Sequence, residues 1–234
     1  MGTMKEKTIY ILPGWTHNTS KWKTLINLLI AAGYKTHKLK IPGLEEKIDT
    51  PWTISDYINW LNGKIKDEKD IVLIGHSNGG RIALSYALDY PNKISNLILI
   101  DSAGFIKNDI SSKFKRGVFK TLAKTGKVLK LPVFTKTFLY KLTREKDYYK
   151  ANPVLKQTMQ SLIMLDLSEK VKDVKIPTTI IWGENDKITP FSFANILNTN
   201  IKNSKLLIIK NAHHSPQYTH PEKVFQIIAT SISE

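Results

Sequence analysis

Ser77 stands in the pattern Gly75-His-Ser-Asn-Gly79, between an apolar run that predicts a strand and a helical pattern that begins at once. Joining a strand to a helix without a loop forces the middle residue into a strained backbone geometry, which small neighbours two residues away permit. Such a turn holds one hydroxyl clear of the backbone at a helix N-terminus, where free N–H groups favour negative charge. The pattern therefore predicts a nucleophilic serine at position 77.

An acid and a histidine follow two later predicted strands, in the order that a serine of this kind requires. Asp186 comes after the apolar run 178–182, and His214 comes after the run 206–209. A serine hydroxyl is a weak nucleophile, so an imidazole must take its proton during attack on an acyl carbon. A carboxylate must then orient the imidazole and stabilise its charged form. We expect Ser77, His214 and Asp186 to fill these three roles.

Other residues compete for two of these roles. Asp101 is the rival acid, because it also ends a predicted strand. His213 adjoins His214, and only one of the two can face the serine from an extended loop, which we expect to be His214. A zinc site built from His213, His214 and His220 is a further alternative, but it lacks a carboxylate at ligand spacing. We therefore expect neither a metal nor a cofactor.

Ester chemistry also needs N–H donors aimed at the negative charge that develops on the carbonyl oxygen. The backbone N–H of Asn78, directly after the nucleophile, is one predicted donor. The second should come from the loop after the first strand, where Gly14 lets the backbone approach closely and Trp15 carries the N–H. The Trp15 side chain is separate from its backbone N–H, and it could also pack as a cover over the edge of the sheet.

Apolar strand patterns alternate with helical patterns along most of the chain. Predicted strands cover 8–12, 34–41, 71–74, 97–100, 178–182 and 206–209, and predicted helices cover 21–32, 53–66, 78–90, a segment from 191, and 221–232. Strands that are apolar throughout are typical of a parallel sheet with helices on both faces. We therefore predict an α/β protein with a doubly wound, mostly parallel sheet. Catalytic residues in such sheets lie just after the strands, at their carboxyl ends.

The positive charge of the chain is concentrated in one segment. The 234 residues carry a formal net charge of +15, and thirteen Lys and Arg face three acids between residues 103 and 150. The alternation of strands and helices also stops here, for about 65 residues of helical pattern. A segment with its own charge and its own periodicity is predicted to be a separate unit.

Within this basic segment, apolar residues fall at helical spacing among many lysines, which predicts an amphipathic helix. The apolar members are Phe114, Val118, Leu122 and Leu129. The favoured role is a lid that roofs the active site and excludes water. Attachment to anionic membranes and contact with nucleic-acid phosphates are less favoured alternatives. A general lysine bias also fits, because only three of the 35 basic residues are arginine.

The motifs together resemble those of the α/β-hydrolase superfamily. They are Pro13-Gly-Trp15, Gly75-His-Ser-Asn-Gly-Gly80, Trp182-Gly-Glu-Asn-Asp-Lys-Ile-Thr-Pro190 and Ala212-His-His-Ser-Pro216. The resemblance covers nearly the whole chain. It implies a core formed by residues 1–102 and 168–234, with a helical, basic cap at 103–167 inserted after the sixth strand in the usual count of this fold. The chain departs from the family pattern at Pro13, where histidine is usual, and at His213, where glycine is common.

The resemblance also implies the chemistry. Hydrolysis of a carboxylic ester through an acyl-enzyme is the commonest activity of such proteins, with Ser77, Asp186 and His214 as the catalytic residues. Carbon–carbon bond hydrolases, lactonases, haloperoxidases without cofactor and lyases share the same residues. Epoxide and haloalkane hydrolases are disfavoured, because they carry aspartate where this chain has Ser77. A non-catalytic protein that binds a small ligand on the same fold is the alternative from another class.

The composition limits where such a protein works and what it binds. The chain has no cysteine, which excludes a disulfide scaffold, a thiol nucleophile and a thiolate metal site. No apolar stretch approaches the roughly 18 residues of a membrane span, and no secretory signal is evident. We expect a cytoplasmic protein whose partner is a small-molecule ester or acyl compound and which binds no nucleic acid.

Overall fold

The computed structural model describes residues 7–16, 18–106 and 153–233. The strands are β1 Thr8–Leu12, β2 Lys35–Lys38, β3 Ile71–His76, β4 Ile94–Ile100, β5 Thr178–Gly183 and β6 Ser204–Ile209. The α-helices are α1 Lys23–Ala31, α2 Ile54–Ile65, α3 Asn78–Asp89, α4 Pro153–Ile163, α5 Phe191–Asn200, α6 Pro216–Thr219 and α7 Pro221–Ser233. Three single-turn 3₁₀ helices lie at Ser20–Trp22, Pro91–Lys93 and Val171–Asp173.

The six strands form one sheet in the order β2-β1-β3-β4-β5-β6. Every neighbouring pair is parallel, so the predicted doubly wound α/β architecture is confirmed. The chain moves from β1 to one side for β2 and then to the other side for β3. This reversal opens a crevice at the carboxyl ends of β1 and β3, which is where ligands bind in sheets of this type.

Helices cover both faces of the sheet, which explains why the central strands are apolar throughout. One cluster of buried side chains joins one face of the sheet to α1 and α7. A larger cluster joins the other face to α2, α3, α4 and α5. Because successive side chains of a strand point to opposite faces, β1 supplies Ile9 and Ile11 to the first cluster and Tyr10 and Leu12 to the second.

Strand β2 is shorter than predicted, covering 35–38 rather than 34–41. It forms an edge of the sheet, and pairing with β1 continues only to Leu39, whose N–H donates to the carbonyl of Ile11 at 2.9 Å. Pro42 follows soon after and has no N–H to donate to a ladder. The apolar residues Leu39 and Ile41 belong to a loop and lie in or against the larger core cluster. Their apolar character gave the sequence the pattern of a longer strand.

Helix α4 follows the basic segment in the sequence and packs against the core. Its residues Leu155, Met159 and Leu162 belong to the larger apolar cluster, and the Thr158 hydroxyl accepts a hydrogen bond from the Trp52 N–H at 2.8 Å. The predicted amphipathic helix around Phe114 and Leu129 lies outside the described residues. None of the helices in the described ranges is long and apolar enough to cross a membrane.

Candidate active site

Ser77 lies at the junction of β3 and α3 with a φ of +53°. That conformation is strained for a residue with a side chain, and here the surrounding contacts impose it. A Cβ on Gly79 would lie 2.1 Å from the carbonyl oxygen of Leu12, and a Cβ on Gly75 would lie 2.6 Å from the carbonyl oxygen of Gly79. Only glycine fits at both positions, so the two glycines allow the sharp turn that carries the serine.

A continuous chain of hydrogen bonds joins three of the predicted residues. The Ser77 Oγ lies 3.0 Å from Nε2 of His214, and Nδ1 of His214 lies 2.8 Å from Oδ2 of Asp186. Because Nδ1 faces a carboxylate, it carries the proton and Nε2 is left to accept one from the serine. The arrangement can therefore activate the hydroxyl for nucleophilic attack.

Asp186 is held in its ionised form. Burial acts to raise the pKa of this carboxyl, but the hydrogen bonds from His214, from the Thr189 hydroxyl and from the Ile188 N–H outweigh burial and lower it. The Thr189 hydroxyl lies 2.5 Å from Oδ2 and the Ile188 nitrogen lies 2.7 Å from Oδ1. A fixed negative charge therefore stands behind the imidazole and stabilises it when it takes up a proton.

The two adjacent histidines occupy different environments. His214 faces Ser77, whereas His213 is exposed and its Nδ1 lies 3.1 Å from the carbonyl oxygen of Asn185. His213 stands where glycine is common in the resembling family, and its backbone comes close to Gly183, whose added Cβ would lie 2.3 Å from the His213 carbonyl oxygen. The structure thus brings His214, and not His213, to the serine.

The rival acid Asp101 does not bind the imidazole. It ends β4 with no exposed surface, and its Oδ1 accepts a hydrogen bond from the Gly183 N–H at 2.8 Å. Burial, followed by the charge of Asp186, raises the pKa of Asp101 well above its usual value. The two carboxyl groups of the site are thereby pushed toward opposite protonation states, with Asp186 ionised and Asp101 neutral.

Both predicted oxyanion donors border the serine. Asn78 is the first residue of α3, and Trp15 lies in the loop after β1. Neither backbone N–H is bound to a backbone carbonyl within the described chain, so both amides are available to a ligand. The loop comes close because Gly14 has no side chain: a Cβ there would lie 3.0 Å from Cβ of Ser77.

A cleft of about 540 Å³ opens onto Ser77 and His214. Its walls come mainly from the loop after β1 and from the segment that leads into α6, and most of their exposed surface is apolar although many of the residues are polar. They include Thr16, Asn18, Lys21, His213, Ser215, Tyr218 and Thr219. A volume of this size is in the range that binds a small organic molecule.

Sequence reasoning gave no role to His76, although it precedes the nucleophile. Its ring is buried and its Nε2 donates to the backbone carbonyl of His214 at 2.7 Å. Burial, with a smaller effect from the charge of His214, lowers the pKa of His76 to about 3. The ring is therefore neutral and fixes the loop that carries the base. Only the fold reveals this contact, since 138 residues separate His76 from His214.

Arg81 is a second residue that the sequence did not single out. Its guanidinium is buried, and Nη1 donates to Oδ1 of Asn78 at 2.7 Å. Burial lowers the pKa of Arg81 to about 10, so the group stays cationic at neutral pH. Arg81 therefore holds the side chain of Asn78, whose backbone N–H is a predicted oxyanion donor, and it places a positive charge near the start of α3.

The metal-binding capacity of the site can be judged from its donor atoms. Within the described ranges, the cluster of potential ligands is His76, Asp101 and His214, with donor atoms no more than 4.8 Å apart. Both ring nitrogens of His214 already bind Ser77 and Asp186. His213 and His220 do not belong to this cluster. The geometry favours proton transfer over metal coordination.

Comparison with known proteins agrees with the fold. The model of a family described as alpha/beta hydrolase fold matches residues 7–221. The AB hydrolase superfamily protein YisY of Bacillus subtilis is 29% identical over 95% of this chain and 90% of its own length. The pimeloyl-[acyl-carrier protein] methyl ester esterase of Wigglesworthia glossinidia brevipalpis is 26% identical over 94% and 91%. The solved structure of an esterase from Exiguobacterium antarcticum superimposes with a TM-score of 0.75 at 20% identity, over 98% of this chain and 93% of its own.

Proposed function

This chain belongs to the alpha/beta hydrolase family, and on that basis we propose that it is a serine esterase that cleaves a small-molecule carboxylic ester through an acyl-enzyme. The observation that carries the proposal is the unbroken hydrogen-bond chain from Ser77 through His214 to Asp186. A relative over most of the chain is named as a methyl ester esterase, which supports ester hydrolysis over the other reactions of this fold.

In the first step the Ser77 oxygen attacks the ester carbonyl carbon while its proton passes to Nε2 of His214. The carbonyl oxygen takes the negative charge and accepts hydrogen bonds from the Trp15 and Asn78 backbone N–H groups. Asp186 stabilises the protonated imidazole from the other side of the ring. His214 then gives the proton to the leaving alkoxide oxygen as the carbon–oxygen bond breaks, and the acyl group stays on Ser77.

In the second step water enters the cleft and attacks the acyl carbon. His214 accepts a proton from the water and returns it to the Ser77 oxygen as the acyl–serine bond breaks. The products are a carboxylic acid and an alcohol, and the side chains end as they began. Every proton moves between His214 and either Ser77, the leaving alkoxide or the water, so the proposed reaction draws on no metal and no cofactor.

The experiment is hydrolysis of a panel of substrates by the wild type and by Ser77→Ala. The panel holds short- and long-chain chromogenic esters, lactones and vinylogous diketones, which separates esterase from lactonase and carbon–carbon hydrolase activity. We expect esters to be preferred and Ser77→Ala to lower kcat by about 10⁴-fold or more. Without the nucleophile, substrate binding and the oxyanion donors are the remaining sources of rate acceleration.

Ser85→Ala is the matched control. Ser85 lies on the same helix, is buried, and has a hydroxyl with no hydrogen-bond partner. Its removal should leave kcat within about threefold of the wild type, because it reaches none of the reacting groups. A Ser77→Ala protein that hydrolyses esters as fast as Ser85→Ala would end the proposal and would favour a binding protein.

A further inference from the structure

Asp101 has an unusual combination of backbone strain and complete burial. Its φ is +42°, which is strained for any residue other than glycine. Its side chain has no exposed surface. Strained residues persist where the surroundings hold them in place, and they gather at functional sites. Three hydrogen bonds hold Asp101: its N–H donates to the Ile181 carbonyl, its own carbonyl accepts from the Thr189 hydroxyl, and its Oδ1 accepts from the Gly183 N–H.

The other half of this carboxyl group has no donor. Oδ2 is buried and accepts no hydrogen bond from a donor in the described residues. The Thr189 hydroxyl links the two acids, because it lies 2.5 Å from Oδ2 of Asp186 and 3.2 Å from the backbone oxygen of Asp101. The charge of Asp186 acts on the Asp101 carboxyl and raises its pKa. Two carboxylates in contact repel one another, and the conflict is removed when one of them carries a proton and donates it. The donors around Asp186 (the His214 ring, the Thr189 hydroxyl and the Ile188 N–H) stabilise its charged form, so the proton belongs on Asp101.

The groups facing Asp101 come from three elements. His76 lies at the end of β3, Asp186 in the loop after β5, and His214 in the loop after β6. Donor atoms of His76, Asp101 and His214 all lie within 4.8 Å of one another. Asp101 is therefore close enough to His214 to replace Asp186 after a small movement, although Asp186 holds the imidazole in the intact site.

We propose that Asp101 is a positioning residue that donates a hydrogen bond from its protonated carboxyl group to Asp186 and serves as a reserve acid for His214. The proposal rests on the esterase function proposed above. In the intact enzyme the shared proton leaves a single negative charge behind the imidazole and fixes the direction of the Asp186 carboxylate. When the Asp186 charge is removed, Asp101 releases its proton to solvent and pairs with His214 as a carboxylate.

The first arm of the test compares two substitutions of Asp101. Asp101→Asn keeps both hydrogen bonds, since the amide oxygen accepts from Gly183 and the amide N–H donates to Asp186. It should lower kcat by about threefold, because an amide is a weaker donor than a carboxylic acid. Asp101→Ala removes both bonds and should lower kcat by about 30-fold or more. An Asp101→Asn enzyme as inactive as Asp186→Ala would overturn the proposal, since Asp101 would then be the ionised partner of His214.

The second arm is a double-mutant cycle. Asp101→Asn should lower kcat about threefold in the wild type but at least about 30-fold in an Asp186→Ala background, because there Asp101 is the only acid left for His214. KM should change little in either background, since neither acid touches the substrate. An equal effect of Asp101→Asn in both backgrounds would show that Asp101 gives no reserve function and would contradict the proposal.

The third arm does not depend on activity. Infrared spectra at neutral pH should contain the carbonyl-stretch band of a protonated carboxylic acid. The band should vanish in Asp101→Asn and weaken in Asp186→Ala, where Asp101 ionises. A wild-type protein without the band, or a band that survives in Asp101→Asn, would contradict the proposal. Failure to hydrolyse any ester would instead defeat the proposed function and leave the infrared result standing.

Discussion

His76 is buried beside the nucleophile, and its neutral ring holds the loop of His214 through a 2.7 Å hydrogen bond. Burial lowers its pKa from 6.5 to about 3 in the folded protein. As the pH falls below about 6.5, His76 takes up a proton in the unfolded chain but stays neutral in the folded protein. Unfolding is therefore favoured progressively at acid pH, with a slope of up to about 1.4 kcal/mol per pH unit for this one group.

His76→Gln should remove this pH dependence. Between pH 6.5 and 5.0 the free energy of unfolding of the wild type should fall by roughly 2 kcal/mol more than that of the variant. Urea denaturation at the two pH values measures the difference. His213→Gln is the control, since His213 is exposed, and it should keep the wild-type dependence. Equal pH dependence of wild type and His76→Gln would mean that His76 is not held neutral.

At this scale the sequence predicted the residues that carry motifs and missed those that depend on packing. Ser77, Asp186 and His214 were accessible because strand ends, chain order and chemistry restrict the choice. The sequence did not reveal the roles of His76 and Arg81 or the interaction of Asp101 with Asp186. Each role depends on which distant segment of the chain buries the side chain. Asp101 was weighed as a rival acid, and the structure gives it a different neighbour, Asp186, in place of the imidazole.

The turn between β3 and α3 works only because β1 and α3 approach each other without side chains between them. Gly79 is the contact point, since a Cβ there would lie 2.1 Å from the carbonyl oxygen of Leu12 and 2.4 Å from that of Pro13. Backbone atoms cannot move aside as flexible side chains do. A methyl group at this position would push the loop 13–16, with the Trp15 N–H, away from Ser77.

Gly79→Ala should therefore destabilise the fold by about 3 kcal/mol or more and lower kcat in the protein that remains folded. Gly63→Ala is the matched control, because Gly63 lies within α2 with no atom near its added Cβ. It should raise the free energy of unfolding by about 0.5–1 kcal/mol through helix propensity. Chemical denaturation of both variants provides the measurement. Equal stability of the two variants would contradict the close contact.

Elements with a long, regular pattern were predicted well. Strands β1, β3, β4 and β5 are largely apolar runs. Helix α2 ends within one residue of its predicted bounds at each end. The four-residue helix α6 was not predicted, because four residues cannot display a 3.6-residue period. The length of β2 was overestimated because burial of Leu39 and Ile41 in a loop has the same sequence pattern as a strand.

The whole site is assembled from two stretches of chain on either side of the basic segment. The proposed nucleophile and oxyanion donors come from residues 7–106, and the proposed acid and base come from residues 153–233. The two apolar clusters join every strand except the polar edge strand β2 to the covering helices. We propose, as the sequence indicates, that residues 103–167 contain a cap over a core formed by 1–102 and 168–234.

Replacing residues 108–151 with a short Gly/Ser linker tests this organisation. We expect the shortened protein to unfold cooperatively, because the sheet and its helices lie outside the deleted segment. KM for long-chain esters should rise by about tenfold or more, since a cap would supply the acyl pocket, while kcat for short esters should change less. Circular dichroism, denaturation and steady-state kinetics give these quantities. Loss of cooperative unfolding would show that the segment belongs to the core.

The central claim is that the Ser77 oxygen is a nucleophile activated by His214. Reaction with a fluorophosphonate, followed by intact-protein mass spectrometry and peptide mapping, tests it most directly. The account predicts one phosphonyl group per chain, attached to Ser77, absent from Ser77→Ala, and formed at least about 100-fold more slowly in His214→Ala because the base is missing. An unlabelled wild type, or an adduct on any other residue, would contradict it.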